Sequence, residues 1–152
     1  MNQQVQTILA RVRYATISTT DEYGKAWAAP VWYVKDDQLT IYWWSSTSAQ
    51  HSKNIERSSD AYITIFDSSA PEGDGLGVYI RAQAGLVADE ELDRVIALYN
   101  QSTKLFKLSR ENTSGGAPTR LYRAVPDTIQ VNDGIETDGY YQDVRRDISV
   151  KE

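Results

Sequence analysis

The sequence predicts a mainly β protein, a closed antiparallel barrel or sandwich of six or seven short strands. Three observations carry that prediction. Apolar residues alternate with period two over most of the chain, Gly, Pro and Asp turn signals separate the runs, and helical periodicity surfaces only in brief stretches. At 152 residues the chain makes one domain, residues 1–152, with no linker or repeat dividing it.

The elements follow in order. Val5, Ile8, Leu9 and Val12 recur at helical spacing, so the chain opens on a short amphipathic helix. Tyr14–Thr20 is rich in β-branched residues and ends at the turn Asp21-Glu22-Tyr23-Gly24. A second strand covers Trp27–Val34, and Asp36-Asp37 connects it to Leu39–Trp44. Pro30 cannot donate to a ladder and predicts a bulge or an unpaired stretch inside that second strand. A Ser/Thr turn, Ser45–Ser48, leads to a helix over Ala49–Arg57. Strands at Ala61–Asp67 and Val78–Val87 flank the Gly/Pro/acid loop Ser68–Gly77, which has the glycines of a mobile flap and lacks calcium-loop spacing. Asp89 reads as the N-cap of a helix whose buried stripe is Leu92, Val95, Ile96 and Tyr99. Thr103–Ser109 reads as one or two further turns and Glu111–Pro118 as a flexible loop. Arg120–Ala124 and Thr128–Val131 form a late strand interrupted at Pro126, and Tyr140–Val150 a weaker final one.

Composition removes several classes of function. There is no Cys, which excludes disulfides, iron–sulfur clusters and a thiol nucleophile. The single histidine, His51, excludes a His-rich metal site and leaves little basis for a Ser-His-Asp triad. Any chemistry then falls to a cofactor. A net charge of -5 argues against nucleic acid and anionic membranes as partners. No apolar run approaches the length of a membrane span and the first residues lack a signal peptide's apolar core, so a cytoplasmic location is expected.

Leu39–Ile55 is the most informative segment. A strand enters a hydroxyl-rich turn and then a helix, whose first N–H groups and positive dipole end favour an anion. Ser45, Ser46 and Ser48 offer hydroxyls there. Gln50, His51 and Lys53 add donors in the first turns, and Arg57 follows on the same helix. Such a set suits a phosphate monoester. It equally suits a plain N-cap, with Ser48 as the capping residue. In Ala28–Tyr33, small residues and Pro30 beside Val31 and Trp32 make a flat shelf for a planar ring, or pack as ordinary core. Arg81 and Gln83, on one face of the fifth strand, either reach a ligand's carbonyls or simply face solvent.

Taken together, Tyr14-Ala-Thr-Ile-Ser-Thr19, Ala29-Pro-Val-Trp-Tyr33, Leu39-Thr-Ile-Tyr42, Ser48-Ala-Gln-His-Ser-Lys-Asn-Ile55, Ala61-Tyr-Ile-Thr-Ile-Phe66 and Gly77-Val-Tyr-Ile-Arg-Ala-Gln-Ala84 resemble the pyridoxamine 5'-phosphate oxidase-like FMN-binding split barrels. The match covers roughly residues 5 to 88, with Leu121–Pro126 as a looser echo. The resemblance implies a six-stranded antiparallel Greek-key split barrel with a few flanking helices. It also implies a homodimer that holds FMN at the subunit interface. Carried across, Trp44, Ser45, Gln50 and His51 hold the flavin phosphate, and Pro30, Val31 and Trp32 lie along the ring. Two cations of the oxidases are missing: Pro30 stands where they have Arg, and His51 where they have Lys. The oxidases' C-terminal arginine-rich motif is also absent, which points away from pyridoxamine phosphate as substrate. The resemblance thus implies an FMN-dependent oxidoreductase of unassigned substrate and no assigned catalytic residue. Sister groups use a deazaflavin or haem, and a non-catalytic flavin-binding stress-response module is the reading from a different class.

Overall fold

The computed structural model describes residues 3–149 and contains seven strands and three α-helices among them. Helix α1 (Gln3–Arg11) precedes strands β1 (Tyr14–Thr20), β2 (Ala26–Lys35) and β3 (Ile41–Ser46). Helix α2 (Gln50–Arg57) leads to β4 (Asp60–Phe66) and β5 (Gly77–Leu86), and α3 (Asp89–Ser102) to β6 (Thr119–Thr137) and β7 (Tyr140–Asp147). All neighbouring strands are antiparallel, in the order β3-β2-β1-β4-β5-β6, and β3 also pairs with β6. That last pairing closes a six-stranded barrel. The order β4-β1-β2-β3, with α2 carrying the chain from β3 back to β1's free side, is a Greek key. The expected fold class is the observed one.

Alternation sorts the side chains. Ala15, Ile17, Val31, Tyr33, Ile41, Trp43, Ile63, Ile65, Val78 and Ile80 point inward and form the barrel core, joined by Val5, Ile8 and Leu9 of α1 and Ile55 of α2. A second cluster lies outside the barrel, where Leu92, Val95 and Tyr99 of α3 cover Val34, Tyr42 and Leu121. Polar contacts pin α3 there. The Tyr42 hydroxyl donates to Asp36 Oδ2 at 2.9 Å and accepts from Arg94 at 2.9 Å, while Glu91 pairs with both Arg94 and Arg123.

Several local expectations are corrected. The β1–β2 register runs unbroken through Thr16↔Pro30, so Pro30 makes no bulge. The unpaired stretch is real, however, because β3 pairs with β2 only at Tyr33, Val34 and Lys35 and leaves the other edge of Ala26–Trp32 open. A proline is accommodated where its nitrogen faces such an edge. β6 is continuous across Pro126, since the strand absorbs Asp127 as a bulge opposite Arg81/Ala82. It runs on to Thr137 and reverses at Asp138-Gly139, both at positive φ, a two-residue turn the sequence reading had passed over. The expected last strand ends at Asp147, and Val150 lies outside the described residues. Ala88, not Asp89, caps α3, and Thr103–Ser109 is not helical. The predicted flexible loop Glu111–Pro118 is pinned by a capping box between Ser109 and Asn112 and by buried Thr113.

The β2–β3 turn holds an unusual residue. Leu39 is fully buried yet has φ 60, a left-handed conformation that costs a residue with a Cβ about 1–2 kcal/mol. Asp36 enforces it by accepting from the N–H groups of Gln38 and Thr40 at 3.0 Å each. Leu39→Ala loses the side chain and keeps the strain, whereas Leu39→Gly loses the side chain and relieves it. Urea denaturation should therefore rank Leu39→Gly at least as stable as Leu39→Ala, the reverse of the usual order. An Ala variant clearly more stable than the Gly variant would show the turn to be unstrained.

Candidate functional site

The barrel is split between β2 and β3. Past Tyr33↔Trp43 the two strands part, β2 staying with β1 and β3 with β6. The split therefore has two free backbone edges, Ala26–Trp32 on one side and Trp44–Ser46 on the other. Directly after Ser46 the chain turns into α2, so the helix's first turn stands at the mouth of the split.

That first turn is arranged around hydroxyl groups. Ser45 Oγ and His51 Nε2 are 2.8 Å apart, joining the end of β3 to the start of α2. Ser46 Oγ lies 2.8 Å from Ser48 Oγ and accepts from the Ser48 N–H. The backbone N–H and hydroxyl of Thr47 both donate to Pro118 O, which fixes the turn against the approach to β6. Ser48 is not the cap of α2. The N-cap is Ala49, which has no side chain to satisfy the helix's first N–H groups. Those donors, with the dipole behind them, are what an anion would engage.

His51 is buried, and burial lowers its pKa below the ordinary value of 6.5. The imidazole is thus neutral at pH 7. Gln50 is held by a relay that the sequence reading did not place in the site. Its amide donates to Asn54 Oδ1 at 2.8 Å, and the Asn54 amide donates to Thr19 Oγ1 at 3.0 Å. Asn54 and Thr19 are both buried, so a barrel strand sets the position of a side chain at the helix mouth. Lys53 sits on the solvent face of α2. Arg57 is committed elsewhere, donating to the carbonyls of Thr20 and Asp21 at 2.6 and 2.7 Å.

The shelf residues divide between two faces. Val31 packs inside the barrel, while Pro30 and Trp32 lie on the outer face. Trp32 meets Tyr99 of α3 edge-to-face at 4.9 Å and keeps part of its ring accessible. Trp44 also points outward, and its indole N–H donates to Asn112 O at 3.3 Å. What Trp44 offers the split is therefore backbone. Gln83 is engaged by Asp60, Asp127 and Ser59. Arg81 is exposed on the same outer face as Pro30, beside a cavity of about 480 Å³ bordered by Ser18, Ala26 and Tyr62. Chemically, the first turn of α2 gathers mostly neutral donors, and β2 presents an open backbone edge along Ala26–Trp32.

The comparisons with known proteins agree on the fold and diverge on the ligand. A family profile for pyridoxamine 5'-phosphate oxidase matches residues 1–132. No curated protein sequence matches the chain. Among solved structures, a heme binding protein from Mycobacterium smegmatis is similar at TM-score 0.70 and 17% identity, over 93% of this chain and 56% of that one. The present chain thus spans little more than half the length of that protein. The heme storage protein HutZ from Vibrio cholerae is similar at TM-score 0.67 and 19% identity, over 82% and 88% of the two chains. An F420 reductase gives TM-score 0.61 and 14% identity, over 85% and 98%. At such identities the likeness speaks for the fold alone. With the profile covering most of the sequence and the same split barrel in the structure, the chain belongs to the pyridoxamine 5'-phosphate oxidase family.

Proposed function

We propose that this protein binds FMN in the split between β2 and β3 and works as a flavin-dependent oxidoreductase. The observation that carries the reading is the mouth of α2, an uncapped helix start flanked by Ser45, Ser46, Ser48, Gln50 and His51. These donors fit a phosphate monoester without a fixed cation, because hydroxyls, amides and helix N–H groups share its charge. The ring would lie along the open edge at Pro30–Trp32, where backbone N–H and C=O groups are free to meet its polar atoms. Bound there, FMN supplies a ring that accepts and returns a hydride. The chain's part is to hold the phosphate, orient the ring on the Trp32 side and keep water from it.

Two of the similar structures are heme proteins and one is an F420 reductase, so the cofactor is the point to test first. Against haem stands the single imidazole, whose Nε2 is already bonded to Ser45 in a buried position. Purified protein titrated with FMN should take it up and show bands near roughly 370 and 450 nm. A Soret band on adding haem, or uptake of a deazaflavin in preference to FMN, would replace the flavin reading.

We also propose a homodimer. Tyr14 and Phe66 are 60% and 50% exposed on the outer sheet face that also carries Pro30, so a second copy covering this face would bury them and wall the ring site. The interface should exceed about 2,000 Å² in total. Light scattering at micromolar concentration should give twice 17.1 kDa; a stable monomer that still binds FMN would remove the partner from the site.

His51 gives the reading a pH signature. Its free pKa is lowered by burial, and an adjacent phosphate dianion favours the imidazolium, so binding raises that pKa. A group that gains a proton on binding makes affinity fall as pH rises between the free and bound pKa values. FMN itself becomes a dianion above about pH 6. Once FMN is a dianion, affinity should therefore fall with rising pH as His51 in the complex loses its proton. His51→Gln should bind more weakly at pH 6 and lose the decline. Equal slopes in both proteins would make His51 a packing residue only.

A further inference from the structure

Helix α2 has two flanks, and the site above uses one of them. Gln50 and Asn54 share the flank that meets Thr19 of β1. Ser52 and Glu56, two residues on from each, lie on the opposite side of the helix. Between that second flank and the ends of β5 and β6 is a cavity of about 490 Å³.

Its lining is amphipathic. Ile55 and Tyr122, both buried, form the floor, and Leu86 stands at the rim with 56% of its surface exposed. The remaining wall is made by Ser52, whose hydroxyl donates to Ser46 O at 2.7 Å, and by Arg120, which sits cross-strand from Ser45. Arg120 Nη1 donates to Ala117 O at 2.6 Å and Thr119 O at 2.8 Å, and Nη2 donates to Gly115 O. All three acceptors are neutral carbonyls, and among the described residues no carboxylate forms an ion pair with it. A guanidinium has five N–H groups; those left are Nε–H and one on Nη2, the pair that grips a carboxylate side-on. Three bonds hold the cation rigidly, so little entropy is lost when the remaining edge is used.

Gly85 completes the picture. A Cβ built on it would meet nothing within 4 Å, and its backbone is not in the left-handed region. On alternation a side chain there would share the outer face of Arg123, opposite Leu86, so Gly85 borders the cavity with its backbone alone. Glu56 at the same border repels a polyanion, which favours a single negative charge over a phosphate ester.

We propose that this cavity is a second ligand site, separate from the flavin site, for a small monocarboxylate with an apolar, aryl-sized body. The carboxylate meets the Nε/Nη2 edge of Arg120, and the body lies over Ile55, Leu86 and Tyr122. Calorimetric titration of the full-length protein with phenylacetate, before any flavin is added, tests this without reference to FMN. Saturable binding is expected, with the neutral phenylacetamide and inorganic phosphate each weaker by about tenfold or more, the worth of a charge-assisted bond. Leu86→Glu, at an exposed rim position, sets a like charge beside the carboxylate and removes apolar contact, so it should weaken phenylacetate by at least as much while leaving the thermal midpoint near wild type. Arg120→Gln should do likewise; if that variant does not fold, Leu86→Glu alone decides. The proposal is overturned by phenylacetamide binding as well as phenylacetate, by unchanged affinity in Leu86→Glu, or by no saturation at roughly 10 mM.

Discussion

Everything that distinguishes this barrel rests on how β3 divides its hydrogen bonds. Three residue pairs join it to β2 and six join it to β6. Full pairing on both sides would have made a sealed cylinder with no backbone to offer a ligand. Pairing with β6 closes the core, and parting from β2 after Tyr33 opens one seam in it. Inward residues such as Trp43 and Ile41 stay fully buried beneath the seam.

Helix α2 is placed by the same division. The chain leaves β3 at the seam and must return to β1's far side, so the helix crosses the barrel end and plugs it with Ile55. Its first turn then faces the seam, where polar residues are worth having, and its centre faces the core. Asn54 shows how the two demands meet. Its amide is buried, so it must be bonded on both sides, and the bonds chosen tie Thr19 of the barrel to Gln50 of the mouth.

Much of this was legible in the sequence, and the rest was not for physical reasons. Period-two alternation marked the strands because inward and outward positions differ in polarity. The Ser-rich turn and helix over Ser45–Arg57 were visible as a local pattern. Long-range register was not: that Arg120 stands opposite Ser45 depends on closure between β3 and β6, which no local period encodes. Caps were misread because Ser48 and Asp89 have the right chemistry, while the chain enters both helices one residue to the side, at Ala49 and Ala88. Pro126 reads as a strand break because the bulge at Asp127, which absorbs it, belongs to the pairing with β5. The faces of Trp32 and Trp44 follow from alternation once α3 is known to cover that side.

The position of β6 bears on how the molecule comes into being. It pairs with β3, β5 and β7, and it lies in the last third of the chain. A polypeptide growing from its N-terminus therefore makes five strands and three α-helices before the strand that joins their ends. Until then the sheet is open along β3 and β5, and its interior face, with Ile63, Val78 and Ile80, lacks its final wall. Contacts between distant parts of a chain form slowly, since the loop entropy must be spent before they are made. Closure by β6 is thus the step on which cooperative folding waits, and an interrupted chain ending before Thr119 would present both unpaired edges to its neighbours.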